Sequence, residues 1–281
     1  MISTTISDTQ LHAIATRLPT APRLLVELGQ LLHDPSAATD DVISLLRRDP
    51  PLVAQIIRMA NSAAFAPGEP IGSLERAVAF VGFAEVHRLV GVVANAQLAE
   101  QRFRLYPFEA AHLRQNTLFV AVLMEELATL AGESHPRSCY TVGLLRSMGM
   151  MALERLAPPE AGITPFRDSG ETALDAWEQK NWGLTNPEAA EKILVHWRLP
   201  HETASAIRHH YHPAGKHNPL VHLLTIAATA ASDRFGGLPG EEGYWQLTPE
   251  NFTKSGLSQR DFQAAAEKAQ RKFEQLKAAV G

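Results

Sequence analysis

The 281-residue sequence predicts an all-α fold of two packed helical lobes, and three observations lead there. Apolar residues recur at helical spacing through most of the chain, which is the pattern of helices with one buried face. Strict apolar/polar alternation is nearly absent, so no sheet is expected. Prolines and glycines punctuate the apolar stripes and mark where helices start and stop. With 45% apolar and 20% charged residues the chain can build a sizeable core, as folded globular proteins do.

Pro19 and Pro22 bracket a turn, after which Leu24, Leu25, Leu28, Leu31 and Leu32 form one stripe that His33-Asp34-Pro35 ends. Thr39-Asp40-Asp41 supplies a start signal for a helix carrying Val42, Leu45 and Leu46. Arg48-Asp49-Pro50 closes it, because a residue before proline avoids the α region, and Pro50-Pro51 opens the next helix with Leu52, Val53, Ile56, Ile57 and Ala60. Asn61-Ser62 leads into an irregular segment, Ala66-Pro67-Gly68-Glu69-Pro70. Ser73 can cap a short helix from Leu74 to Val81, Gly82 ends it, and Phe83 begins a longer one through Val86, Leu89, Val90 and Val93. The pattern breaks at Gln101-Arg102-Phe103-Arg104-Leu105-Tyr106-Pro107, which divides a lobe at 1–104 from a lobe at 105–281; the break lacks the Gly/Ser richness of a flexible linker. The second lobe carries expected helices near 108–131, 137–156, 171–180, 186–197, 201–211 and 217–235, a surface excursion at 235–243, and a last helix from Ser258 to Val280.

The net charge of −4 gives no global basic field to gather nucleic acid or an anionic membrane, so neither is an expected partner. A single cysteine, Cys139, allows no intramolecular disulfide and no thiolate-rich zinc site, and it reads as a small apolar residue. The amino terminus lacks the basic and apolar regions of a secretory signal, and no apolar run is long enough to span a bilayer, so a cytoplasmic protein is expected. Neither a G-x-x-x-x-G-K-[ST] phosphate loop, a G-x-S-x-G elbow nor a C-x-x-C pair occurs. No cofactor is expected.

Several segments carry a resemblance. Leu18-Pro19-Thr20-Ala21-Pro22, then Arg48-Asp49-Pro50-Pro51-Leu52, Ile57-Arg58-Met59-Ala60-Asn61-Ser62-Ala63, Ile71-Gly72-Ser73-Leu74-Glu75-Arg76-Ala77-Val78, Trp197-Arg198-Leu199-Pro200 and His209-His210 resemble the signature of the HDOD family, the HD-related output domain of bacterial signalling proteins. The match runs from about residue 15 to about residue 235. It implies an HD-like second lobe and an output role in signal transduction exercised through other proteins. It also draws attention to Gly143-Leu144-Leu145-Arg146-Ser147-Met148-Gly149, which is similar to the G-L-L-H-D-x-G frame of metal-dependent HD phosphohydrolases with the two ligands replaced.

By that resemblance five ligand positions have lost their donors: Asn116, Arg146, Ser147, Asn186 and Ala228. A guanidinium has no lone pair to offer a metal, and its charge opposes a dication nearby. The expectation is a non-catalytic protein without a metal. Arg146 has two readings, an internal pair with an acidic residue or, with Asn116, His209 and His210, an anion-binding group for a nucleotide. Seven histidines lie between His196 and His222, namely His196, His201, His209, His210, His212, His217 and His222, but His209, His210 and His212 do not share one helical face. The resemblance further implies an adapter for signalling partners. For an adapter of this kind the expected docking surface is the Ala66–Ser73 loop with Arg48, Asp49, Asn61, Ser62 and Ser73, because the loop is irregular and lies beside the signature segments. A nucleotide-sensing domain and a residual metal-dependent phosphodiesterase are the alternatives, with DNA binding a distant fourth.

Overall fold

Ser7 starts the first helix: its hydroxyl accepts from the Gln10 backbone N–H and the Gln10 side chain accepts from the Ser7 N–H, a reciprocal cap for α1 (Asp8–Ala15). The computed structural model describes residues 6–100, 103–133, 135–157, 162–167 and 172–280, and among these the chain contains helices and no strand. The expected lobe junction falls partly outside the described residues, at Gln101 and Arg102.

The first-half helices follow the sequence signals closely. They are α2 (Thr20–Leu31), α3 (Thr39–Leu46), α4 (Pro50–Ala60), α5 (Leu74–Val81) and α6 (Phe83–Ala99). Asp49 caps α4 by accepting from Leu52 N–H at 3.0 Å, with prolines in the first turn where a missing N–H costs nothing. Ser73 caps α5 by accepting from Arg76 N–H. Gly82 adopts φ +80 and turns the chain 116° between α5 and α6, a conformation that glycine takes without a Cβ clash. The short α1, absent from the expected helices although Ser7-x-x-Gln10 is a start signal, lies on helices of the second half.

The second half runs α7 (Ala110–Leu130), α8 (Pro136–Leu145), α9 (Met148–Leu156), α10 (Leu174–Trp182), α11 (Asn186–His196), α12 (His201–His209), α13 (Pro219–Phe235), a 3-10 turn at Glu242–Tyr244, α14 (Pro249–Ser255) and α15 (Gln259–Val280). Buried apolar side chains from α1 through α15 form one continuous core, so α2 and α6 pack directly on α8. No single helix among the described residues is long and apolar enough to cross a membrane.

Two expectations need correction. The single helix expected over 137–156 is two, broken at Arg146-Ser147, where Ser147 sits at φ −92 and ψ 7. No proline or glycine marks the break, and both halves bury apolar residues, so periodicity runs across it undisturbed. The expected surface excursion at 235–243 is also wrong. Gly236 and Gly240, at φ +84 and +85, fold the segment back on itself, and Leu238 and Glu241 become fully buried.

Candidate functional site

The α8–α9 break aims Arg146 inward, and the folded-back 235–243 segment brings Glu241 to meet it. Arg146 Nη1 donates to both Glu241 carboxylate oxygens, at 2.9 and 3.0 Å, with neither side chain exposed. Its Nη2 donates to Asn116 Oδ1 at 2.6 Å, from α7, and the guanidinium lies 5.3 Å from the Trp245 ring centre. An ion pair this far from water persists only when hydrogen bonds offset the desolvation of both charges, and here both Nη groups and both carboxylate oxygens are engaged.

The network continues beyond the pair. Tyr211 Oη donates to Glu241 Oε1 at 2.7 Å and accepts from Asn186 Nδ2 at 3.2 Å. Asn186, the first residue of α11, donates its backbone N–H to Glu178 Oε2 at 2.7 Å and its amide to both Glu178 oxygens. Tyr106 Oη donates to Glu178 Oε1 at 2.8 Å. A buried polar chain thus joins Asn116, Arg146, Glu241, Tyr211, Asn186 and Glu178 in order, ending on Tyr106. Burial pushes the Glu178 carboxyl up to about 8, against the donors around it, while both tyrosines are raised by burial and by the neighbouring carboxylates.

His210 lies beside this network, fully buried, its Nδ1 2.6 Å from the Ile207 carbonyl. Burial and the nearby Arg146 charge lower it to about 3, so it is a neutral imidazole at pH 7. Four buried polar atoms in this region, Arg146 Nε, Ser147 Oγ, Asn186 Oδ1 and His210 Nε2, have no hydrogen-bond partner among the described residues.

The structure brings Asn116, Arg146 and Asn186 into one network and sets Ser147 and His210 at its edge; Ala228, buried in α13, carries no donor atom. His209 is half-buried at the end of α12 and makes none of the network's hydrogen bonds. These residues do not fit a divalent metal. Ser147 and Asn186 retain unpartnered oxygens, but a cation already occupies the centre of the site and claims the Glu241 carboxylate. Among the described residues no three His, Cys, Asp or Glu side chains come together in a metal-binding arrangement, the His196–His222 stretch included. His196 stacks on His12, His212 pairs with Asp175 at 2.9 Å, and His222 contacts the Lys216 carbonyl. Cys139 is buried, which pushes its thiol up to about 12.

The expected docking residues stabilise the first half of the chain from within. Asp49 and Ser73 are caps, and Asn61 clasps the backbone of Ile71 through two hydrogen bonds of 2.8 Å. Ser62 Oγ is buried without a hydrogen-bond partner among the described residues, and exposed Arg48 pairs with Glu27 at 2.9 Å. Arg48 also lines a cavity of about 470 Å³ with Arg23, Glu27, His196, Trp197 and Arg198. Two signature segments some 150 residues apart therefore meet on one face, where Arg198 holds a left-handed φ of +69. Sequence reasoning missed Glu241, Tyr211, Glu178 and Tyr106. The only signal for Glu241 was the need of a buried guanidinium for an acid.

The HDOD domain family model matches residues 18–213. A curated relative, an uncharacterized protein of Treponema pallidum (strain Nichols), is 26% identical over 245 residues, which cover 82% of this chain and 44% of that protein. The chain thus spans less than half the length of the curated relative it matches. An HDOD domain protein of unknown function from Geobacter sulfurreducens superposes with a TM-score of 0.68 at 22% identity, covering 97% of both chains. A chain from Shewanella amazonensis SB2B, provisionally described as a phosphohydrolase, superposes at 0.67 and 22% identity over 97% of this chain and 98% of its own. A chain from Marinobacter aquaeolei VT8, provisionally described as a signal transduction protein, superposes at 0.67 and 22% identity over 97% of this chain and 64% of its own. At this identity the superpositions establish a common fold.

Proposed function

This chain belongs to the HDOD family, and from that premise we propose that it is a non-catalytic regulatory module of signal transduction that acts by binding other proteins. One observation carries the reading: the place of the replaced ligands is filled by the Arg146–Glu241 ion pair, with neither side chain exposed. A guanidinium cannot be deprotonated to vacate its charge, so this centre neither ligates a metal nor generates a metal-bound nucleophile. The same burial argues against nucleotide sensing at Arg146, because the guanidinium's Nη groups are already spent on Glu241 and Asn116.

The surface best suited to a protein partner is the face where Arg48 and Arg198 meet. Arg48 and Arg198 are exposed there beside Glu27, giving a mixed-charge rim of the kind that orients partners.

The test has two arms. Protein purified without a His tag or chelator is assayed for bound iron, manganese and zinc and for hydrolysis of cyclic dinucleotides with each metal added. The expected result is substoichiometric metal and no turnover; stoichiometric metal with turnover would overturn the non-catalytic reading. In the second arm, partners captured by the wild-type chain are compared with those captured by Arg48→Glu. A partner lost with the variant, while the fold is retained, is expected; a captured set unchanged by charge reversal would remove this face from the proposal.

A further inference from the structure

Between α4, α6, α7 and α15 lies a cavity of about 690 Å³ that shares no lining residue with the Arg146 network. Its size is that of a small-molecule pocket. Three cationic side chains line it, Arg58 from α4, Arg114 from α7 and Lys277 from α15, against one acid, Glu100. Several arginines elsewhere are matched to carboxylates: Arg23, Arg48, Arg47, Arg76 and Arg88 each lie within ion-pair distance of a glutamate, whereas Arg17, Arg155 and Arg234, which do not line this cavity, have no such partner among the described residues. Arg58 and Arg114 pair with no carboxylate among the described residues, and Lys277 has only the exposed Glu274, 3.6 Å away.

Arg114 is held in place. Asn95, buried at the cavity wall, donates its amide to the Arg114 carbonyl at 2.8 Å and accepts from Thr117 Oγ1 at 2.7 Å. This fixes the start of α7 against α6, so the half-buried Arg114 side chain projects from a rigid support. The inner wall is apolar, made by Val92, Leu118 and Phe273, all buried, and the amides of Gln55 and Gln115 stand at the cavity as combined donors and acceptors.

Unmatched cations beside an apolar wall with amide edges suit a ligand that is anionic at one end and flat, apolar and hydrogen-bonding at the other. We propose that this cavity binds a nucleoside phosphate, with Arg58, Arg114 and Lys277 on the phosphate groups and the base against Val92, Leu118 and Phe273, its edge met by Gln55 and Gln115. Helices from both halves of the sequence line the cavity, so an occupant bridges α4 to α15. The proposal is independent of the reading of the Arg146 site.

Calorimetric titration of the full chain with ADP, GDP, CDP and UDP tests it, with the corresponding nucleosides and inorganic phosphate as controls. At least one diphosphate is expected to bind in the micromolar range, while its nucleoside and inorganic phosphate each bind at least tenfold more weakly. Arg114→Gln and Arg58→Gln should each weaken binding tenfold or more with an unchanged circular dichroism spectrum, whereas Arg146→Lys, if folded, should leave it unaltered. Binding of inorganic phosphate as tight as the diphosphates would reduce the site to an anion hole and overturn the nucleoside assignment. No heat with any of the four at millimolar concentration, or binding indifferent to both glutamine variants, would overturn the site.

Discussion

At the scale of single residues the decisive feature is the commitment of Arg146 to Glu241. Removing one member of a fully buried ion pair leaves the other charged and without a partner, which costs about 3–5 kcal/mol. Arg146→Ala is therefore expected to lose that much stability in urea unfolding, and a loss below about 1 kcal/mol would mean that solvent reaches Glu241. The paired replacement Arg146→Met with Glu241→Leu should recover most of the loss, because two apolar side chains of similar volume leave no charge to solvate. Half of this was legible in the sequence. An arginine inside Leu144-Leu145-Arg146-Ser147-Met148 has apolar neighbours on both sides and must find an acid if it is buried. Which acid was not legible, because Glu241 lies 95 residues away in a glycine-rich segment that reads as exposed until two left-handed glycines fold it inward.

At the scale of elements, helix starts were the most legible feature, because a cap is a local event: one side-chain oxygen, one orphan N–H. Asp49→Ala should cost about 1 kcal/mol through the lost bond to Leu52 N–H, measured as a shift of the urea midpoint, and Asp49→Asn should recover much of it since an amide oxygen accepts equally at that position. The α8–α9 break was illegible for the opposite reason, since what determines it is tertiary. Gly149 at the start of α9 packs so closely on α11 that a Cβ there would lie 1.8 Å from the Asn186 carbonyl oxygen. The contact is to backbone, which cannot rotate away. Gly149→Ala is expected to push α9 from α11, to destabilise by about 1–3 kcal/mol or more, and to disturb the Asn186 bonds to Glu178. Tyrosine fluorescence and the unfolding midpoint should move together; an unperturbed midpoint would mean the two helices have slack that this packing denies.

For the whole molecule the all-α class was legible because helical periodicity is repeated in nearly every segment, whereas the polar network was not, because its members come from α7, the α8–α9 break, α10, α11, the 235–243 segment and the irregular stretches holding Tyr106 and Tyr211. The folded chain nevertheless carries a signature of its buried titratable groups, inside that network and outside it, in its response to pH. His87, buried under α2 and facing Thr141, Arg88 and Arg137, and His210, beside Arg146, are each lowered from 6.5 to about 3, chiefly by burial. Between those values the unfolded chain binds protons that the folded chain refuses, so both histidines make stability rise with pH up to about 6.5. Glu178 acts in the other sense. Its carboxyl is raised from 4.5 to about 8, so over that window the folded chain holds a proton the unfolded chain has released, and stability falls as pH rises. From 4.5 to 6.5 the two histidines outweigh the one glutamate, and above 6.5 the glutamate acts alone among the three. The melting temperature should therefore pass through a maximum near pH 6.5. In Glu178→Gln the decline from 6.5 to 8 should flatten while the acid limb remains; in His87→Gln the acid limb should become shallower. If both variants keep the wild-type profile, water reaches these groups and the polar core is not sealed.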